Sequence, residues 1–374
     1  MKFVDEFRDG ATARRLAAAI RDEACDDRRY NLMEFCGGHT HAIFRYGIHD
    51  VLPPPVNMIH GPGCPVCVLP VGCIDNAIAL AREHGAIVCT YGDMLRVPGS
   101  KRLSLSGAKS QGAEVRMIYS CQDALRIAAE NPTRQVVFFA IGFETTTPPT
   151  ALVIRAAAAR HLENFTVYCN HVLTPAAIGS ILESPEVRAI GTVPLDGFIG
   201  PAHVSTVIGT QPYEYFAEEY RKPVVIAGFE PLDILQAILM LVRQINTGRC
   251  DVENEYRRAV TREGNRKAQQ LVADVFELRR LFEWRGLGRI PYSALRIKAD
   301  YAAFDAERRF GLRQHFQPEQ TACRCGLVIR GVIKPPDCPM FGRACTPDNP
   351  MGSCMVSAEG ACAAYYTYRP ERGT

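Results

Sequence analysis

Val136-Val137-Phe138-Phe139-Ala140-Ile141-Gly142-Phe143-Glu144 decides the fold: an unbroken apolar run ends at a glycine and an acid, and Pro149–His161 then takes up helical spacing. A short apolar run closed by a turn and followed by a period of about 3.6 residues reads as a buried strand entering a helix. The outline returns in Val224-Val225-Ile226-Ala227-Gly228-Phe229-Glu230, ahead of Pro231–Ile245. That echo is either a duplicated unit or the likeness that any two buried strands share.

Outward from these runs, Asn31–Phe35, Val56–His60, Ala86–Tyr91, Val115–Tyr119, Gln135–Ile141, Phe165–Asn170, Gly197–Gly200 and Pro223–Ala227 read as strands. Ile74–His84, Cys121–Glu130 and the two stretches above read as helices between them. Such alternation predicts an α/β fold with mainly parallel sheets, and eight strands suit two small sheets better than one. The expected organisation is one α/β domain over 31–133, a second over 134–248, and a helical, cysteine-rich third over 249–374, joined by an N-terminal helix within 1–30. Val252–Trp284 reads as one long charged helix.

At 374 residues the chain exceeds what one core usually serves, and 47% hydrophobic with 22% charged residues are globular values. Its 43 basic and 40 acidic residues are dispersed, net +3, which leaves no electrostatic footprint for nucleic acid or an anionic membrane. Met1–Glu6 carries acids where a signal peptide needs a basic then apolar run, and no apolar stretch reaches spanning length, so a cytoplasmic location is expected.

Fifteen cysteines in a reducing compartment point to metal or redox chemistry rather than a disulfide framework. Cys25, Cys89, Cys121, Cys169 and Cys250 stand singly in regular runs and are expected as small buried hydrophobes. The tail is different. Cys323, Cys325, Cys338, Cys345, Cys354 and Cys362 fall among prolines and glycines, a texture held by something other than apolar burial. Thiolates from such loops bind zinc or an iron-sulfur cluster, and dispersed spacing favours a cluster over a single ion. Spacing alone leaves open which four are ligands.

His60-Gly61-Pro62-Gly63-Cys64-Pro65-Val66-Cys67 places two thiols where they can close a small ring and exchange two electrons, near a helix start that favours the thiolate. Half of a zinc site is the alternative, though no second close pair completes one. Glu34-Phe35-Cys36-Gly37-Gly38-His39-Thr40-His41 lies between a strand and a helix, where α/β proteins present functional groups. Cys36 offers a thiolate and His39 an imidazole; the bland alternative is a glycine turn with a buried cysteine and surface histidines. In Gly142-Phe143-Glu144-Thr145-Thr146-Thr147-Pro148-Pro149, hydroxyls and amides suit an anion, and ordinary N-capping by a threonine explains the same residues. His60 and His203, near glycine turns, read as structural or exposed.

Phe35–His41, Gly61–Cys67, Gly142–Thr146, Cys345-Thr346-Pro347 and Ser357–Tyr366, in this order and spacing, resemble the HypD family of hydrogenase maturation factors over nearly the whole chain. The resemblance implies two α/β domains of related topology and a third bearing a [4Fe-4S] cluster. It implies Cys325, Cys338, Cys345 and Cys362 as cluster ligands, with Cys323 and Cys354 outside. It implies Cys36 as the iron-binding cysteine with His39 beside it, Cys64 and Cys67 as a redox pair, and Glu359 as a functional acid.

The implied role is a scaffold with redox function rather than a conventional turnover enzyme. Iron would carry CN and CO ligands there, with a HypC-like small partner and a HypE-like cyanide donor, before delivery to the hydrogenase large subunit. A cluster-dependent thiol-disulfide oxidoreductase would need the dithiol and cluster but not Cys36-Gly37-Gly38-His39. A structural zinc protein would need neither.

Overall fold

The structure, a computed structural model, describes residues 5–183, 195–313 and 322–369. Its strands are β1 (Tyr30–Glu34), β2 (Val56–His60), β3 (Ile87–Thr90), β4 (Val115–Met117), β5 (Val136–Gly142), β6 (Phe165–His171), β7 (Gly197–Pro201), β8 (Val224–Ala227), β9 (Val252–Asn254), β10 (Phe276–Trp284) and β11 (Gly288–Ile297). One five-stranded sheet has the order β2-β1-β7-β8-β9, and a four-stranded sheet has the order β4-β3-β5-β6. Both are parallel throughout, and β10–β11 form a separate antiparallel hairpin. The α/β class is as expected, and all eight expected strands are present.

Neither sheet keeps to one side of residue 134. The larger draws on 30–60 and 197–254, the smaller on 87–117 and 136–171. Hydrophobic period locates a strand but carries no information about its neighbour, so pairing across such separations was not readable from the runs.

The long helix expected over Val252–Trp284 is not formed. β9 is followed by a loop, a helix over Arg266–Val275, and β10. Asn265 caps that helix by accepting from Ala268 N, which starts it fourteen residues later than β9 begins the segment, and Phe276 onward is paired by β11 instead. Cys25 is exposed and Cys250 partly so, against expectation; Cys89, Cys121 and Cys169 are buried. The first lies past the end of the helix Gly10–Glu23 and the second in the turn before β9, where the chain is leaving its elements.

A single apolar core joins the inner parts of both sheets to the cysteine-rich segment. It contains Met33, Ile59, Phe139, Phe198, Ile226, Trp284, Val328, Met355 and Val356. The outer face of the larger sheet is covered by the helices Gly10–Glu23 and Pro231–Thr247, burying Ile20, Ile234, Ile238 and Leu241. Parallel pairing has one consequence for function. The turns after β1, β2, β7 and β8 all open at the same edge of the sheet, which brings Cys36, His60-Gly61, His203 and Gly228-Phe229 to one crevice.

Candidate functional site

Cys36 follows β1 and stands at the N-cap of the helix Gly37–Arg45. Its thiol is buried and takes N–H bonds from Gly38 and His39. A helix start normally favours thiolate. Here burial outweighs it and pushes the thiol far up, with the carboxylates of Glu359 and Glu34 adding to the effect.

Glu34 is fully buried and organises the turn. It accepts from Cys36 N at 2.8 Å, from Thr40 Oγ1, and from His60 Nδ1 at 2.9 Å. On its other side, His60 Nε2 lies 3.3 Å from His49 Nε2. His60, expected as structural or exposed, is a member of this network. The sequence reading gave Glu34 no role, although an acid two residues before the cysteine at a strand end was the available signal.

His39 is wholly buried rather than at the surface. Its Nε2 lies 3.0 Å from both Ala227 O and Gly228 O, so it must donate, and the ring stacks on Phe229 at 4.7 Å. Nδ1 is buried without a hydrogen-bond partner. Burial lowers the basicity of this ring more than Glu34 raises it. Phe229 stacks in turn on His203 at 3.9 Å.

The Gly61-Pro62-Gly63 turn lies directly over this strand end. Gly61 N donates to Glu34 O at 2.9 Å and Gly37 N to Gly63 O at 3.0 Å. A Cβ on Gly63 would fall inside the backbone of Cys36, so only glycine allows the approach. Cys64 and Cys67, joined as a disulfide with Cα atoms 5.2 Å apart, follow at once on the short helix Pro65–Val68. Ser353 Oγ donates to Cys67 O at 2.9 Å, and Cys67 Sγ lies 4.0 Å from Ser353 O. The pair therefore touches the cysteine-rich segment at the residue before Cys354.

That segment also reaches Cys36 itself. Glu359 packs on Gly37 so closely that a Cβ there would overlap it. Although Glu359 keeps solvent-accessible area, its carboxyl is raised, by desolvation first and then by Asp93 and Glu34.

Among the six tail thiols, Cys323 and Cys325 have sulfurs 3.1 Å apart, and Cys325, Cys354 and Cys362 lie within mutual hydrogen-bonding reach. Cys338 and Cys345 sit on a neighbouring turn, where Phe341 N donates to Cys338 O and Cys345 N to Met340 O. The contacting set and the set implied by the family resemblance thus share Cys325 and Cys362 and differ in the rest. No group of three or more His, Cys, Asp or Glu among the described residues is arranged as a metal site. By chemistry the donors suit a soft metal cluster: thiols alone, mostly buried, in a segment of turns and short helices that ends in the helix Ala361–Tyr368.

In and just after the Gly142–Pro149 turn, the Thr146, Thr147 and Thr150 hydroxyls are engaged by backbone carbonyls. Thr146 Oγ1 donates to Phe143 O, Thr147 Oγ1 to Glu144 O and Thr150 Oγ1 to Thr146 O. Thr146 occupies the N-cap without a side-chain cap bond. Instead Glu144 caps the next helix, accepting from Thr174 N at 2.8 Å and Thr174 Oγ1 at 2.9 Å.

No helix among the described residues is long and apolar enough to cross a membrane. The HypD family model, described as "Hydrogenase formation hypA family", matches residues 11–369. Hydrogenase maturation factor HypD of Cupriavidus necator is 67% identical over 368 residues, covering 98% of this chain and 97% of that one. The protein of the same name from Rhizobium leguminosarum bv. viciae is 65% identical over 368 residues, covering 98% and 96%. That of Escherichia coli K12 is 47% identical over 376 residues, covering 99% of each.

Proposed function

The chain belongs to the HypD family of hydrogenase maturation factors, and from that premise we propose that it is the scaffold on which one iron atom receives CN and CO ligands. The observation that carries this reading is convergence at Cys36. A free thiol, the Cys64–Cys67 pair and the tail that bears Glu359 and the remaining cysteines meet within one crevice, through the Gly37–Gly63, Gly37–Glu359 and Ser353–Cys67 contacts.

Each residue has a part. Cys36 supplies a soft thiolate to the iron cargo, and Glu34 fixes the backbone that presents it. His39 offers a neutral ring as acid, base or orienting group, and Glu359 is the acid across from the thiol. Cys64 and Cys67 interconvert between disulfide and dithiol, a two-electron change. Cys325, Cys338, Cys345 and Cys362 are assigned to a [4Fe-4S] cluster, whose chemistry when bound is to exchange electrons. A HypC-like small protein completes the iron site, a HypE-like protein brings cyanide, and a hydrogenase large subunit receives the product.

The test is to co-purify Cys36→Ser with the small partner, without air, from cells making a hydrogenase. Serine nearly matches the volume but is a harder ligand and scarcely ionises, so the infrared bands of bound CO and cyanide should vanish while thermal stability holds. Normal hydrogenase maturation by Cys36→Ser would sink the reading and leave the thiol-disulfide oxidoreductase in its place.

A further inference from the structure

His39 Nε2 reaches Ala227 O, and that carbonyl belongs to the same amide as Gly228 N. Gly228 N in turn donates to Glu255 Oε2 at 3.3 Å. No peptide in the described chain is cis, so the C=O and N–H of this unit point in opposite directions. One flat amide therefore stands between Glu255 and His39, with a hydrogen bond at each end. Bonds in such a chain polarise and align one another.

The far end is itself anchored. Glu255 lies against Asp233, which is buried on the helix Pro231–Thr247. Asp233 Oδ2 accepts from Arg258 Nη2 at 2.5 Å and from Glu230 N at 3.4 Å, while Oδ1 is buried without a donor. Arg258 is sandwiched between the rings of Tyr256 and Phe7, and Arg8 pairs with Glu230 at the rim. Burial first, then Asp233, pushes Glu255 up to about 7. Glu255 Oε2 accepts from Gly228 N, while its Oε1 lies 3.9 Å from Arg258 Nη1 and its carboxyl lies against Asp233. Only glycine fits at 228, because a Cβ there would meet Asp233 Oδ2 and the Tyr256 ring, at 2.5 Å for the ring.

We infer that Glu255 is a positioning residue: acting through the Ala227–Gly228 amide, it holds His39 as the neutral Nε2–H tautomer and leaves Nδ1 as the open lone pair of the crevice. The inference rests on the reading of that crevice given above. It also accounts for an otherwise costly feature, a fully buried ring nitrogen with nothing to bond. An oriented neutral imidazole whose second nitrogen is held by a carbonyl is the arrangement that makes the first a good acceptor or ligand.

The experiment uses the full chain labelled with nitrogen-15 in histidine, with the His39 signals assigned by their loss in His39→Gln. Wild type should show a protonated Nε2 and a bare Nδ1; a protonated Nδ1 would overturn the inference without any further variant. Glu255→Gln, which can accept from Gly228 and donate to Asp233, should keep the His39 signals and restore maturation. Glu255→Met fills the space but cannot accept, and should mix the tautomers and lower hydrogenase maturation by about tenfold or more. Unchanged His39 signals in Glu255→Met, or altered ones in Glu255→Gln, would overturn it. Cys36→Ser serves as the separate control, since it tests the crevice reading while leaving the His39 amide bonds in place.

Discussion

Glu144 and Glu255 are both pushed up to about 7, in each case by burial first. A carboxyl whose folded pKa is raised binds its proton more tightly folded than unfolded. The stability it contributes is complete below its ordinary value of 4.5 and is lost as pH rises through about 7. His171 runs the other way: burial pushes it down to about 4, so stability is lost as pH falls from 6.5 toward that value. Urea unfolding of wild type should therefore weaken between pH 5 and pH 8, and Glu144→Gln should remove ~3 kcal/mol of that slope. The glutamine also loses one Thr174 bond, a constant cost that shifts the curve without tilting it. An unchanged slope would mean that Glu144 titrates normally. At this scale the sequence showed which residues carry reactive groups, since Cys36, His39 and Cys64/Cys67 are chemically conspicuous. It did not show Glu34 or Glu255 as parts of the site, because their importance lies in which distant backbone atoms they meet. Burial of His39 was hidden for the same reason: Phe229, which covers it, arrives from β8.

Eight of the nine parallel strands among the described residues were legible because a strand covered on both faces reads as a largely apolar run, as the fully buried β5 and β8 show. The β10–β11 hairpin was not. Its exposed positions include Arg280 and Leu281 in succession, with a register shift between Arg279 and Leu281, so strict alternation fails. Charges at Glu277, Arg279, Arg280 and Glu283 then mimic the polar face of a helix. Phe276, Phe282 and Trp284 are buried on β10, and the last of them is also tied to β11 by a hydrogen bond. Trp284 Nε1 donates to Ser293 Oγ at 2.9 Å, and that hydroxyl donates to Ile290 O at 2.8 Å. Ser293→Ala leaves the indole N–H buried without an acceptor, an expected loss of about 1–3 kcal/mol in chemical denaturation. Trp284→Phe costs packing instead, and in the Trp284→Phe background Ser293→Ala should cost clearly less. Equal costs in both backgrounds would show that the bond does not hold the hairpin.

One core spans both sheets and the cysteine-rich segment, with Val328, Ile329, Met355 and Val356 buried in it beside Met33 and Trp284. Arg96 Nη2 adds a bond to Val356 O at 2.8 Å from the smaller sheet's side. These contacts seat the segment on the crevice, but its interior is built from turns and thiols, and apolar anchors at a few points do not order the loops between them. The cluster assignment therefore makes a mechanical prediction as well as a spectroscopic one. Cys338→Ala and Cys345→Ala should each lose the brown cluster absorbance, and limited proteolysis should then cut within 322–369 while the sheets resist. Cys323→Ala, whose thiol the family resemblance leaves outside the ligand set, should keep colour and resistance. The contact pattern sets the opposing expectation, because Cys325 touches Cys323, Cys354 and Cys362 rather than Cys338 or Cys345. If Cys323→Ala and Cys354→Ala bleach the protein and Cys338→Ala and Cys345→Ala do not, the ligands are the thiols in contact, and the assignment by family resemblance falls.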